Sequence, residues 1–219
     1  MLDTRTGKAE HIRGDDLGCV APSDLDWSRD GTRVAYVCEW PADPGWPAPG
    51  IYMIGPDGSG QMRLQTGLSG AHSSPSWSPD GKRIAFAFGE SGRSRIYVFN
   101  LAASRRTLLV SHGTEPAWTR DGSTIAYRVD CGIKLATPSG REATPISGPF
   151  RCRAMGIPGT PVWSPDGKKI AIGTRSGGIH VMEADGTDLS RITKKSAAGA
   201  TRLGRPSWRP VAHHRDSKG

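Results

Sequence analysis

Five tryptophans recur along the chain at intervals of 50, 41, 45 and 45 residues, and this period constrains the fold more than any other feature. They are Trp27, Trp77, Trp118, Trp163 and Trp208. Each of the first four is followed, three and four residues later, by an Asp-Gly pair. A sequence period of about 40 to 50 residues is typical of proteins built from repeated structural units. The spacing therefore predicts a repeat architecture.

Each of the first four repeats contains four short segments that are typical of β-strands, because they are rich in β-branched and aromatic residues and are bounded by Gly, Pro and Asp. In the second repeat they are the segment ending at Trp77 and residues 83–88, 96–99 and 107–110. The Asp-Gly pair between the first two suits a tight hairpin, since Gly accepts positive φ without a Cβ clash. The 29 Gly and 17 Pro residues interrupt every window long enough for a helix. We therefore predict an all-β protein, a β-propeller of four-stranded antiparallel blades.

The repeats also predict how the domain is organised. We expect residues 1–210 to form a single propeller domain with four complete blades, in which residues 1–13 and 204–210 share a split, incomplete closing blade. Closure is expected because an open edge strand invites aggregation. Residues 211–219 are predicted to be a disordered polar tail. We also expect the natural polypeptide to extend upstream of Met1, where about 20 more residues would complete five blades and about 60 would make six; a degenerate closing blade is the alternative.

The repeat has a recognisable signature. Pro-x-Trp-Ser-Pro-Asp-Gly-Lys-x-Ile-Ala stands intact at residues 75–85 and 161–171, whereas Arg29 and Arg120 replace the second proline in two other repeats. The chain resembles the TolB-like, WD40-like (PD40) β-propeller repeat family. The resemblance implies a non-catalytic binding or scaffold module that docks a protein or a cell-envelope component in the periplasm. The same repeat type occurs in the propellers of prolyl-oligopeptidase-like peptidases, so a hydrolase-associated propeller is one alternative, and a propeller lyase is another.

The four cysteines form two pairs that are close in sequence, Cys19 with Cys38 and Cys131 with Cys152, separated by 19 and 21 residues. In a propeller the loops between second and third strands share one face with the loops between blades, and both pairs fall on that face. We therefore hypothesise the disulfides Cys19–Cys38 and Cys131–Cys152. They would place the protein in an oxidising compartment, periplasmic or extracellular. Four free thiols in a cytosolic protein are the alternative.

The chain carries no Gly-x-Ser-x-Gly elbow, His-Glu-x-x-His pair or glycine-rich phosphate loop between a strand and a helix, so no catalytic residue, metal or cofactor is predicted. Candidate binding residues instead stand three positions before each tryptophan, where the inner strands should meet the mouth of the central channel: Asp24, Ser74, Glu115, Thr160 and Arg205. The insertion at residues 39–50 adds Trp40 and Trp46, which are candidates for anchoring a partner. Covering an adjacent blade is their alternative role.

The net charge of +8 comes from 29 basic and 21 acidic residues. Because the basic residues are spread singly, they indicate solvated blade faces rather than nucleic-acid binding. No apolar run approaches 18 residues, so no membrane insertion is predicted. The first residues also lack the apolar stretch of a signal peptide. We expect a monomer that docks a protein partner, either alone or within a longer chain.

Overall fold

The computed structural model describes residues 19, 22–39, 48–90, 93–130, 132–140, 142–145, 159–174, 178–193, 206 and 208. Within these residues, sixteen β-strands form four antiparallel four-stranded sheets, and there is no helix. Each sheet keeps its strands in chain order, so each is a meander. This agrees with the predicted blades. Among the described residues there is accordingly no helix long and apolar enough to cross a membrane.

The strands of each blade are numbered from the channel outwards. Blade 1 contains β1 (Pro22–Trp27), β2 (Val34–Cys38), β3 (Gly50–Ile54) and β4 (Met62–Arg63). Blade 2 contains β5 (His72–Trp77), β6 (Arg83–Phe88), β7 (Arg95–Asn100) and β8 (Arg105–Val110). Blade 3 contains β9 (Thr114–Trp118), β10 (Ile125–Val129), β11 (Gly132–Ala136) and β12 (Glu142–Pro145). Blade 4 contains β13 (Val162–Trp163), β14 (Lys169–Gly173), β15 (Ile179–Glu183) and β16 (Ser190–Arg191).

The first strands of successive blades lie side by side, since β1 contacts β5, β5 contacts β9 and β9 contacts β13. One hydrogen bond recurs between them. The indole N–H of a tryptophan donates to a backbone carbonyl in the preceding blade, and the acceptor is the residue just before that blade's own tryptophan. The three bonds are Trp118 to Ser76 at 3.1 Å, Trp163 to Ala117 at 3.1 Å and Trp208 to Val162 at 3.0 Å. Repetition of one contact in this way is expected of units related by rotation about an axis, as in a propeller.

The apolar core lies between blades rather than within one. Side chains of β2 and β3 pack against β6, where Ile84 and Phe86 are fully buried. Ala85 lies between these two residues in β6 and belongs to a second apolar cluster, which joins blades 2 and 3 around Trp118 and Tyr127. Successive strand residues point to opposite faces. A middle strand is therefore apolar on both sides because it touches two neighbouring blades.

Each of the four turns after a tryptophan is closed by its own side chains. In blade 2 the Ser78 hydroxyl donates to Asp80 Oδ1 at 2.5 Å and accepts from the Arg83 amide at 2.9 Å. The Lys82 amide donates to Asp80 Oδ1 at 3.0 Å, and Gly81 has a φ of 67°. The corresponding bonds recur in the other three blades around Asp30, Asp121 and Asp166. We call the face that carries these turns the turn face.

A disulfide joins Cys19 and Cys38 on the opposite face, which we call the loop face, with a Cα–Cα distance of 5.7 Å. Both cysteines are buried. A cross-link spanning 19 residues is expected to stabilise the fold by about 3 kcal/mol, because it removes conformational freedom from the unfolded chain. The predicted Cys131–Cys152 bridge lies outside the described residues. So does the predicted closing blade, apart from Pro206 and Trp208, and so does the predicted tail.

Candidate functional site

The inner strands are irregular at one equivalent position, three residues before the tryptophan. There Asp24, Ser74 and Glu115 have positive φ values of 49°, 52° and 57°. The pairing register of their strands with β2, β6 and β10 shifts at the same point, as in a β-bulge. Residues other than glycine adopt positive φ at a cost in free energy, and bulges re-aim the side chain at that position.

These positions converge on a recess of about 350 Å³ at the loop-face mouth of the channel, which Thr160 of the fourth blade also lines. The Ser74 amide donates to Asp24 Oδ2 at 2.8 Å, and the Thr160 hydroxyl donates to the Glu115 carboxylate. Glu115 Oε1 also lies 3.7 Å from a guanidinium nitrogen of Arg128. We call Asp24, Ser74, Glu115 and Thr160 the channel-mouth ring. Carboxylates connect neighbouring blades at this ring. Of the five residues predicted here, the structure brings four together, and Arg205 lies outside the described residues.

A groove of about 930 Å³ leads from this ring across the loop face, past Cys38 and along blades 1 and 2. We call it the loop-face groove. Among the described residues, its charged lining consists of Asp24, Glu39, Glu90, Glu115, Arg63 and Arg128. Carboxylates therefore outnumber guanidinium groups by four to two, and one guanidinium, Arg128, is already paired with Glu115. The groove has an acidic excess, although the whole chain is basic.

His72 forms a buried part of the groove lining. Its Nδ1 lies 3.0 Å from the Gly70 carbonyl and its Nε2 lies 2.9 Å from the Thr66 hydroxyl. Because a carbonyl can only accept, Nδ1 carries the proton and the Thr66 hydroxyl donates to Nε2. Burial lowers the pKa of His72, the bond to Gly70 opposes this in part, and the positive charge of Arg63 lowers it further. His72 is therefore a fixed, neutral element of the lining.

Sequence reasoning missed His72, Arg63 and Arg128 as groove residues. For Arg128 a signal existed, because it stands where the equivalent strands hold Val37, Ala87 and Gly173. A charged residue at an otherwise apolar or small position of a middle strand needs a polar surrounding, which here is Glu115 and the Thr114 hydroxyl.

Other sequence predictions stay predictions. Trp40 and Trp46, the proposed aromatic anchors, lie outside the described residues. In the part of the chain that is described, no three His, Cys, Asp or Glu residues are grouped so that they could hold a metal ion.

Comparison with known proteins identifies the family. The family model for the TolB beta propeller domain matches residues 15–134, more than half of the chain. The chain belongs to the TolB β-propeller family. This membership confirms the resemblance inferred from the Pro-x-Trp-Ser-Pro-Asp-Gly signature.

Relatives of this TolB-family chain include curated proteins and solved structures. It is 31% identical to the protein TolB homolog of Chlorobium luteolum over 148 residues, which are 64% of this chain and 33% of that protein. It is 33% identical to the Tol-Pal system protein TolB of Francisella tularensis subsp. holarctica over 106 residues, which are 47% of this chain and 22% of that protein. The crystal structure of TolB from Acinetobacter baumannii superposes with a TM-score of 0.64 at 21% identity, over 79% of this chain and 43% of that one, and shows the shared fold. The chain thus spans at most about a third of the length of these curated relatives.

Proposed function

We propose that this TolB-family chain is a non-catalytic docking module, which receives a polar, basic segment of a protein partner in the loop-face groove. The observation that carries the proposal is the acidic excess in the described lining of that groove, with four carboxylates against two guanidinium groups. The groove is large enough for several side chains of an extended segment. Membership of the TolB family supports docking as the function, since the Francisella tularensis relative is named a Tol-Pal system protein.

The groove's carboxylates differ in how firmly they are held. Glu115 is paired with Arg128, and Asp24 accepts the Ser74 amide. Among the described residues Glu39 accepts a single long hydrogen bond, 3.3 Å from the Ser23 hydroxyl, and it lies at the exposed outer part of the groove with Glu90. Exposed charges steer a partner and set its orientation, while a packed inner surface contributes more of the affinity. We therefore assign first contact with the partner's basic residues to Glu39 and Glu90.

We further propose that the module works in a periplasmic or extracellular compartment. The disulfide between Cys19 and Cys38 supports this location, because such bonds persist in oxidising compartments and are rare in the reducing cytosol. Lysis of cells of the source organism directly into denaturant that contains an alkylating agent, followed by mass measurement, tests it, because denaturation exposes any free thiol at these buried positions. Alkylated Cys19 and Cys38 would contradict the proposed compartment.

Site-specific photo-crosslinking in the native host tests the docking surface. A photoreactive residue replaces Ser69 in the groove, and a matched one replaces Thr107 on the outer strand β8; both positions are exposed. We expect a discrete crosslinked protein from position 69 and none from position 107. Adding the double change Glu39→Gln and Glu90→Gln should reduce the crosslink at least threefold, because it removes two charges without changing side-chain size.

Two results would contradict the docking proposal. One is equal crosslinking at positions 69 and 107, which would indicate random collisions. The other is a crosslink at position 69 that the double glutamine variant leaves unchanged, which would show that groove charge has no part in recognition.

A further inference from the structure

The turn-face mouth of the channel holds a second cavity, separate from the loop-face groove. It has a volume of about 400 Å³. Its walls come from the ends of the inner strands and include all five repeat tryptophans: Trp27, Trp77, Trp118, Trp163 and Trp208. Arg29 and Arg120 also line it.

These two arginines are not required by the turns in which they stand. The same position in blades 2 and 4 is occupied by Pro79 and Pro165, and the turns there have the same hydroxyl, carboxylate and amide hydrogen bonds. A proline at this position even favours the turn, since it fixes φ in advance. Arg29 and Arg120 therefore need an explanation other than the local backbone.

The arginines extend over the mouth of the channel from different blades. Arg29 Nη1 donates to the Arg120 carbonyl at 3.3 Å, which links blade 1 to blade 3, and Arg120 Nη1 donates to the Pro165 carbonyl at 3.5 Å. Each guanidinium has five N–H groups, and its hydrogen bonds to described residues occupy one of them, so most donors remain for another acceptor. No carboxylate among the described residues lies within 4.0 Å of either guanidinium.

Among the described residues, two positive charges and one negative charge line this cavity. The negative charge is that of Asp26, whose carboxylate accepts the backbone amide of Trp77 at 2.8 Å and forms no ion pair within 4.0 Å with Arg29 or Arg120. Partial burial and the positive charge of Arg120 both lower the pKa of Arg29. Two like charges that approach each other in a recess repel, and an anion between them would relieve this repulsion.

We propose that the turn-face mouth binds a small oxyanion, of the phosphate or carboxylate class, between the guanidinium groups of Arg29 and Arg120. A planar guanidinium presents paired N–H donors that match two oxygens of such an anion. The tryptophan and proline side chains of the cavity wall can pack against an apolar part of the ligand. The site stands apart from the proposed docking surface, so either proposal can fail without the other.

Calorimetric titration with inorganic phosphate and with citrate, at constant ionic strength set by sodium chloride, tests the site. The informative variant is Arg29→Pro with Arg120→Pro, because it installs the residue that the same turn already accepts in blades 2 and 4. Its matched control is Arg95→Gln with Arg105→Gln, which also removes two positive charges but from exposed positions on β7 and β8. Circular dichroism checks that each variant is folded, and Arg29→Gln with Arg120→Gln replaces the proline variant if it is not.

We expect saturable binding of at least one of the two anions to the unchanged protein. The affinity should fall at least tenfold in the proline variant and stay within twofold in the control. Preference for phosphate or for citrate then assigns the anion class. Absence of saturable binding to the unchanged protein overturns the proposal, and so does binding that the proline variant keeps.

Discussion

At the scale of single residues, the repeat tryptophans share a place in the fold but not the same hydrogen bonds. Trp77 and Trp118 end equivalent strands and are buried to a similar degree, with 6% and 8% of their surface exposed. Trp118 donates its indole N–H to the Ser76 carbonyl, whereas the indole nitrogen of Trp77 has no hydrogen-bond partner among the described residues. Between blades 1 and 2 the Asp26 carboxylate binds the Trp77 backbone amide instead.

This difference in hydrogen bonding predicts that replacing tryptophan by phenylalanine lowers the free energy of unfolding by different amounts at the two positions. Trp118→Phe and Trp77→Phe remove similar apolar area, but only the first breaks an indole-to-carbonyl bond. A buried hydrogen bond of this kind contributes about 1 kcal/mol. We therefore expect Trp118→Phe to lower the free energy of unfolding by about 1 kcal/mol more than Trp77→Phe. Urea denaturation of the two variants measures the difference, and an equal or larger loss in Trp77→Phe would contradict it.

At the scale of the element, the hairpin after each tryptophan is held by a short polar network. In blade 3 the carboxylate of Asp121 accepts from the Thr119 hydroxyl and from the amide and hydroxyl of Ser123. These hydrogen bonds stabilise the ionised form and lower the pKa of Asp121 to about 2. The carboxylate is therefore an acceptor throughout the physiological range of pH.

Acid should weaken this hairpin in a defined range. Because the pKa of Asp121 is lower in the folded state than its ordinary value of 3.8, its ionisation stabilises the fold above about pH 4, and this contribution is lost as the pH falls towards about 2. We expect Asp121→Asn to flatten the dependence of the unfolding free energy on pH between 5 and 3. The same change at the exposed Asp188, which is outside these turns, serves as the control. An unaltered slope in Asp121→Asn would refute the assignment.

At the scale of the whole molecule, a structural feature can be predicted from the sequence when a short local pattern encodes it. The blades and their hairpins follow from patterns a few residues long, such as Ser78-Pro79-Asp80-Gly81, repeated at a regular period. The channel-mouth ring follows from the same period, because equivalent positions in rotated units must meet around one axis. Asp24, Ser74, Glu115 and Thr160 were predicted together for that reason, and the structure brings them together.

The remaining features arise where different blades meet, and no short pattern encodes them. Arg63 lies in blade 1, His72 in blade 2 and Arg128 in blade 3, yet all three line one groove. The positive φ values at the ring fall on Asp, Ser and Glu, so no glycine signals the bulges in advance. The Trp77 amide binds a side chain because Asp26 carries a carboxylate where the next two blades have Ser76 and Ala117.

Two buried histidines in different blades make the stability of the whole propeller depend on pH. Burial lowers the pKa of both His72 and His180, and the nearby positive charges of Arg63 and Arg191 lower these values further. The unfolded chain, with histidine near its ordinary pKa of 6.5, therefore binds protons at a pH where the folded protein does not. Stability from this source is complete above about pH 6.5 and is lost as the pH falls below it.

We therefore expect the free energy of unfolding to decrease from pH 7.5 to pH 5.5, and the double variant His72→Gln with His180→Gln to decrease less. Urea denaturation of both proteins at the two pH values measures this. Each protein's value at pH 7.5 is its own reference, so a uniform loss of packing in the variant cancels from the comparison. A variant that keeps the full decrease would show that other groups take up the protons, because glutamine cannot titrate in place of the imidazoles.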